Sequence, residues 1–239
     1  MSLRRSRLLG WTLALLAMAL FASLGRWQLS RMHEKQAMLD AVAQTLAARA
    51  PLPLSAAGDP ERARGFDWAA GQGDFIDAPA VLLDNQQRDG RPGVRAYRLF
   101  RPDAGMPLLV ELGWLPLPGD RAMPAVARPD GPQPLQGLLA PPPSPGLGEA
   151  RLAPADEVGA VVVTGLDAAD LPAALGVGSL PPRVLKLDPD LPLGFDRDLD
   201  VLPNTLPPEK HLGYAVQWFG LALAVLVTAL VLTFRRPRR

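Results

Sequence analysis

The sequence predicts a membrane-anchored α+β protein: two terminal transmembrane helices flank a mostly antiparallel, β-rich extracytoplasmic domain with one packed helix. Three observations predict it. Leu212–Phe234 runs 23 residues without a charge, and Leu8–Leu24 forms a second apolar run of 17. At about 1.5 Å per residue the longer run spans a hydrocarbon core of about 30 Å. Arginines without accompanying acids sit at the outer ends of both runs. Of 27 prolines, 26 fall between Pro51 and Pro208. Proline interrupts helices and marks turns, so the two ends read as helix and the interior as strands and loops.

Charge sets the expected orientation. Residues 1–25 carry Arg4, Arg5 and Arg7, and residues 213–239 carry Arg235, Arg236, Arg238 and Arg239. The segment 26–212 holds the other 18 basic residues and all 24 acidic ones, a formal net of −6. Lys and Arg near helix ends decide topology. Four arginines follow the second run, and Lys210 precedes it. The expectation is a two-pass protein of the inner (plasma) membrane, with both termini cytoplasmic and the middle domain periplasmic. Ala17-Met18-Ala19 is a weak cleavage motif. It lies inside the apolar run, and Trp27-Gln28 reads as an interface anchor, so the first run is taken as an uncleaved span. The chain then divides into a cytoplasmic start (1–7), a transmembrane helix (8–28), an amphipathic helix (29–50), a periplasmic β-rich domain (51–211), a second transmembrane helix (212–234) and a basic cytoplasmic tail (235–239).

Each element has a local reason. Leu29, Met32, Leu39, Val42 and Leu46 fall on one helical stripe, so the first span continues outward and ends before Pro51. Ala80–Asn85, Val94–Phe100 and Pro107–Leu115 are short apolar runs bounded by turn residues and read as strands. A turn is expected over Gln86–Gly93, and a hairpin connection at Arg101–Gly105. Asp67–Ile76, Gln133–Leu139, Gly159–Thr164 and Val184–Asp188 are further strand candidates, and Ala168–Leu175 is a short helix candidate. The tracts Pro116–Pro134 and Pro141–Pro145 read as extended loops.

Several chemistries are excluded. The chain has no cysteine, hence no disulfide, thiolate metal site or cysteine nucleophile. His33-Glu34 lacks the second histidine of a zinc-protease helix, and there is no G-x-S-x-G elbow. Gly71-x-Gly73 and Gly176-x-Gly178 lack the spacing of a phosphate loop. Asp196, Asp198 and Asp200 read as a solvated loop rather than a cation site. An acidic external domain does not suit nucleic acid. No catalytic residue is expected.

His211 is the residue with two open readings. It begins the last helix at its outer end, and Tyr214 and Trp218 follow three and seven positions later on the same face, with Gln217 beside them. One reading is an aromatic interface belt. The other is a ligand site, because a neutral imidazole is a good axial ligand for haem iron. Haem propionates would then meet Arg26 or Lys210. Trp27-Gln28 closes the first span much as Gln217-Trp218 opens the second, so the two ends are expected to form one interhelical contact.

Four blocks occur in order along the chain: LGRWQLSRMHEKQAML (Leu24–Leu39), VLLDNQQRDGRPGVRAYRLFRP (Val81–Pro102), LLVELGWLP (Leu108–Pro116) and HLGYAVQWF (His211–Phe219). In these blocks the chain resembles the surfeit-locus family of cytochrome c oxidase assembly factors. The resemblance implies a role in assembling a haem–copper terminal oxidase, helping haem a reach subunit I or stabilising that site. It implies His211 as a haem a ligand, with subunit I, haem A synthase and the lipid bilayer as partners. Trp27 and Gln28 match the first motif, and Gly113 and Trp114 the third. Here Gly113 also reads as a bulge or close backbone approach, and Trp114 as core. Leu112 stands where the family commonly carries arginine. The alternative function is a haem-free membrane scaffold that clamps an oxidase subunit.

Overall fold

Helix α1 runs unbroken from Leu3 to Ala48, 46 residues with no proline to interrupt it. The structure, a computed structural model, describes residues 3–143, 148–202 and 205–235. Residues 1–40 and 205–239 form one compact unit, and residues 41–204 another. Along α1 the stripe Leu29, Met32, Leu39, Val42 and Leu46 is buried or half-buried, whereas Arg26, Trp27, Ser30, His33 and Glu34 are exposed. The last helix, α3, spans Pro208–Phe234. It starts one turn before the expected His211. Proline suits a first helical position, where its missing N–H is not needed. Both helices are long and apolar enough to cross a membrane. They are the terminal helices of a two-pass membrane protein.

The second unit is built on strands. These are β1 (Leu52–Pro53), β2 (Asp67–Phe75), β3 (Ala80–Arg88), β4 (Arg91–Pro102), β5 (Leu108–Pro116), β6 (Gln133–Ala140), β7 (Leu152–Ala155), β8 (Ala160–Val163) and β9 (Val184–Leu187), with a one-turn helix α2 at Leu171–Ala174. They form one sheet in the order β1-β2-β6-β9-β5-β4-β3-β8-β7. Its pairings are mostly antiparallel, with parallel joins at β1–β2, β3–β8 and β5–β9. The far end of β4 also pairs with β2, from Gly73↔Pro102 to Phe75↔Phe100. That pairing closes β2, β6, β9, β5 and β4 into a ring. A Cβ at Gly73 would collide with the backbone of Arg101 and Pro102, and one at Gly137 with the carbonyl of Lys186. Glycine at these two positions lets the neighbouring strand backbones approach.

Strand alternation sorts the ring's side chains. Leu108, Val110 and Leu112 of β5 join Phe75, Phe100, Leu135, Leu139, Leu185 and Leu187 in the main core. Leu109 of β5 faces the other way, with Tyr97, Leu99, Val184 and the α2 residue Leu171. A third cluster joins Val42, Leu138 and Ala140, with Leu46 and Phe66 against them. Thr45 at the end of α1 donates to the Phe66 carbonyl at 3.0 Å, and the Arg49 guanidinium lies 4.6 Å from the Trp68 ring centre. Leu112 is 2% exposed within the main core. The charged contact that an arginine would bring to this position is absent.

On the opposite face of β5, three adjacent strands set charged and polar groups in a row. Tyr97 of β4 is the cross-strand partner of Glu111, and Glu111 is that of Lys186 on β9. Glu111 is 1% exposed. It accepts from Arg95, from the Tyr97 hydroxyl at 3.1 Å, and from Lys186 Nζ at 3.0 and 3.1 Å. Burial disfavours the charged carboxylate, but Lys186 and Arg95 outweigh it and hold Glu111 below its ordinary value. Burial, reinforced by the Glu111 charge, pushes the Tyr97 phenol well above its own. Beyond this row, Asp196 and Asp198 lie 3.2 and 3.1 Å from the Arg88 guanidinium. Two of the three aspartates expected in a solvated loop are thus ion-paired to a strand.

Several local expectations are corrected. The turn expected over Gln86–Gly93 is only Asp89-Gly90, with φ of 51° and 74°. Two successive positive φ angles make the tight two-residue hairpin that Asp-Gly favours, so both strands run on into the expected turn. The short helix is confined to Leu171–Ala174, and β1 and β7 were not anticipated. Residues 117–132 form no strand, as the prolines there imply. The Pro141–Pro145 tract lies partly outside the described residues.

Gly113 is both the bulge and the close approach expected of it. The β4–β5 register slips between Ala96 and Tyr97, leaving Leu112 extra, and Gly113 has φ of +130°. A Cβ there would lie 2.8 Å from the carbonyls of Phe195 and Asp196. Those residues are held by Phe195 N–H to Leu112 O at 2.7 Å and Trp114 N–H to Asp196 O at 2.8 Å.

Two outcomes follow for the full chain in detergent. Gly113→Ala lowers stability by about 1–3 kcal/mol through backbone strain alone, read as a lower denaturant midpoint. An unchanged midpoint removes the bulge as a constraint. Glu111→Gln leaves Lys186 buried without its counter-charge and Arg95 with only the more distant Asp198, 3.9 Å away, and costs about 3–5 kcal/mol. Because the folded pKa of Glu111 lies below its unfolded value, its contribution is complete at neutral pH. It is lost as pH falls through the carboxylate range of about 4 and below. Glu111→Gln therefore also shallows the acid side of the stability profile. A variant matching wild type in both midpoint and acid slope excludes the network as a stabiliser.

Candidate functional site

The candidate site lies where α1 and α3 pack antiparallel, at the end of the pair holding Gln28 and His211. Two stripes with the same spacing meet there: Phe21, Gly25 and Gln28 on α1, and His211, Ala215 and Trp218 on α3. Steps of four and three residues keep each set on one helical face. Phe21 and Trp218 stack with ring centres 5.7 Å apart and planes 27° off parallel. Gly25 is buried, and a Cβ there would lie 2.9 Å from the Phe219 ring. Ala215 is 1% exposed. In lipid, small residues of this kind let helices approach and pack.

His211 closes the pair. It sits in the first turn of α3, is 8% exposed, and its Nδ1 lies 2.7 Å from Gln28 Oε1. Oε1 is a carbonyl oxygen and only accepts, so Nδ1–H donates. In its neutral form the ring then carries its lone pair on Nε2. Among the described residues Nδ1 alone of the two ring nitrogens has a hydrogen-bond partner. Such an arrangement fixes ring orientation and tautomer and leaves one imidazole nitrogen able to bind a metal centre. Among the described residues no group of three or more His, Cys, Asp or Glu could hold a metal ion, so His211 offers a single donor.

The other expected site residues divide by exposure. Trp218 is half-buried in its stack with Phe21, whereas Tyr214, Gln217, Trp27, Arg26 and Lys210 are exposed. The interhelical contact expected of Trp27-Gln28 and Gln217-Trp218 forms through different members. Gln28 meets His211 rather than Gln217, and Trp218 meets Phe21 rather than Trp27. His33 is exposed on unbroken α1, five residues past Gln28 and about 140° around the helix from it. It does not fold back to give His211 a second imidazole.

Gln28 is the candidate-site residue that sequence reasoning did not place beside His211. The matched four-and-three spacing of the two stripes was the available signal. Buried charges at Arg95, Glu111 and Lys186 were also missed as a group. Each lies in an otherwise apolar strand, where a charge needs a partner.

The SURF1 family model matches residues 15–223. No curated protein matches the chain at a significant level. The family match takes in the whole β unit and both stripes of the helix pair, including Gln28 and His211. The chain belongs to the SURF1 family, the surfeit-locus family of cytochrome c oxidase assembly factors.

Proposed function

We propose that this assembly factor helps haem a enter, or remain in, subunit I of the oxidase, and that His211 would transiently hold its iron. One observation supports this above the others: the Gln28 carbonyl takes the Nδ1 proton of a buried His211, so Nε2 is pre-set as a donor. The residues present fit the group. One oriented imidazole suits a metal whose remaining ligands travel with it in a macrocycle. Haem a, when bound, would supply an iron for the imidazole and propionate carboxylates for the cations.

The chain's own residues do the rest. Gln28 holds the imidazole in one tautomer and one orientation. Trp218, Trp27 and Tyr214 offer aromatic surface at this end of the helix pair, and Gln217 an amide. Arg26 and Lys210 are exposed cations suited to carboxylates. A single protein ligand favours release over storage, as a handover to subunit I requires. Haem A synthase is the source in this scheme. The arginines at 4–7 and 235–239 support an inner-membrane chain with both termini cytoplasmic and residues 51–211 periplasmic.

The test is to co-express the chain with haem A synthase, purify it in detergent and record its absorption spectrum. Wild type carries haem a, and His211→Ala does not. Gln28→Leu binds about 10–100-fold more weakly, the usual loss when the partner of a liganding histidine is removed. Gln28→Glu, still an acceptor for Nδ1–H, restores binding. If wild type and His211→Ala carry equal haem, the ligand assignment is wrong. Oxidase co-purification that survives in His211→Ala and without haem synthesis would then identify a haem-free scaffold.

A further inference from the structure

At the opposite end of the same helix pair, α1 and α3 leave an open-sided cleft of about 510 Å³. That volume falls within the range of about 300–1,000 Å³ typical of small-molecule sites. Its walls include Gly10, Trp11 and Ala14 of α1 and Ala224 and Thr228 of α3. The threonine hydroxyls in this region are bonded to backbone carbonyls of their own helix. Thr228 donates to the Ala224 carbonyl at 2.8 Å, and Thr233 to the Ala229 carbonyl at 2.7 Å. Thr233 also accepts from the Trp11 indole N–H at 3.0 Å, which ties the helices at the cleft's end. The walls are therefore apolar despite their threonines.

Arg7 is the charged residue of the lining. It is exposed, and no acidic residue occurs in 1–25 or 213–239 to neutralise it. An apolar groove with an unneutralised guanidinium at its mouth matches a molecule with an apolar tail and an anionic head. Basic sites between transmembrane helices recognise lipid headgroups in this way, and guanidinium pairs with phosphate in bidentate fashion. We propose that the cleft holds one anionic glycerophospholipid, an acyl chain lying along Gly10, Ala14 and Ala224 and the headgroup phosphate paired with Arg7. The proposal rests on the two-pass reading and is independent of haem binding at His211.

Trp11 lines the cleft and reports on its occupant. The full chain is reconstituted in vesicles of equal phosphatidylglycerol and phosphatidylcholine, with bromine on the acyl chains of one lipid at a time. The Trp11 signal is the difference in quenching between wild type and Trp11→Phe. Brominated phosphatidylglycerol quenches Trp11 as though enriched about fivefold over brominated phosphatidylcholine, the preference that one arginine–headgroup contact supplies. Arg7→Gln abolishes the preference. Arg5→Gln, which alters a charge outside the lining, keeps it. The double variant Ala14→Leu, Ala224→Leu fills the cleft and lowers quenching by both lipids. Equal quenching of wild type by the two lipids overturns the proposal. So does an equal loss in Arg5→Gln and Arg7→Gln, which marks general surface attraction. Absence of quenching by either lipid also overturns it and points to a protein segment in the cleft.

Discussion

Two helices in lipid gain little by burying leucine against leucine, because the surrounding chains are equally apolar. The pair formed by α1 and α3 must be held by close approach and by a few polar contacts. Gly25 and Ala215 supply the approach. Gln28 with His211, and Trp11 with Thr233, supply hydrogen bonds at its two ends. The candidate ligand and the lipid-sized cleft both arise from this constraint. Where the helices touch, a histidine is gripped and aimed. Where small residues leave space without contact, a groove remains. The Gln28–His211 bond also joins positions 183 residues apart in the chain. Neither end of the sequence can form that site alone.

The β unit solves a different problem. With no cysteine it has no disulfide to hold it, so burial must carry the fold. Ring closure through β2 and β4 encloses a core in which Phe100, Leu108, Leu139 and Leu185 are fully buried. Each such side chain contributes roughly 1.5–3 kcal/mol. Against this apolar background, the row of Tyr97, Glu111 and Lys186 is costly to desolvate and is retained only because its members satisfy one another. An ionic row of this kind penalises register slips, since moving β5 by one residue would put Glu111 into the main core.

Much of this was legible in the sequence. The helices followed from apolar length and missing prolines, because a membrane span needs both. The strands β2 to β6, β8 and β9 followed from short apolar runs between turn residues. The Asp89-Gly90 hairpin was also legible, but the surrounding Gln86, Gln87 and Arg88 drew the reading toward a longer turn. What escaped was long-range. No local pattern shows that β2 returns to β4, or that Arg95, Glu111 and Lys186 converge from three strands. At the candidate site, His211 stood out through family resemblance. Its partner Gln28 is an ordinary amide until the two helices are set side by side.

The sheet ends in two very short strands, β1 with two residues and β7 with four, and each contains a proline, Pro53 and Pro154. Proline has no N–H to offer a neighbouring strand, and so little edge gives a foreign chain almost no ladder to extend. That bears on any oxidase assembly factor. A long open edge would capture partly folded segments by backbone pairing, whatever their sequence. With its edges blunted, the unit resists being annealed into such segments.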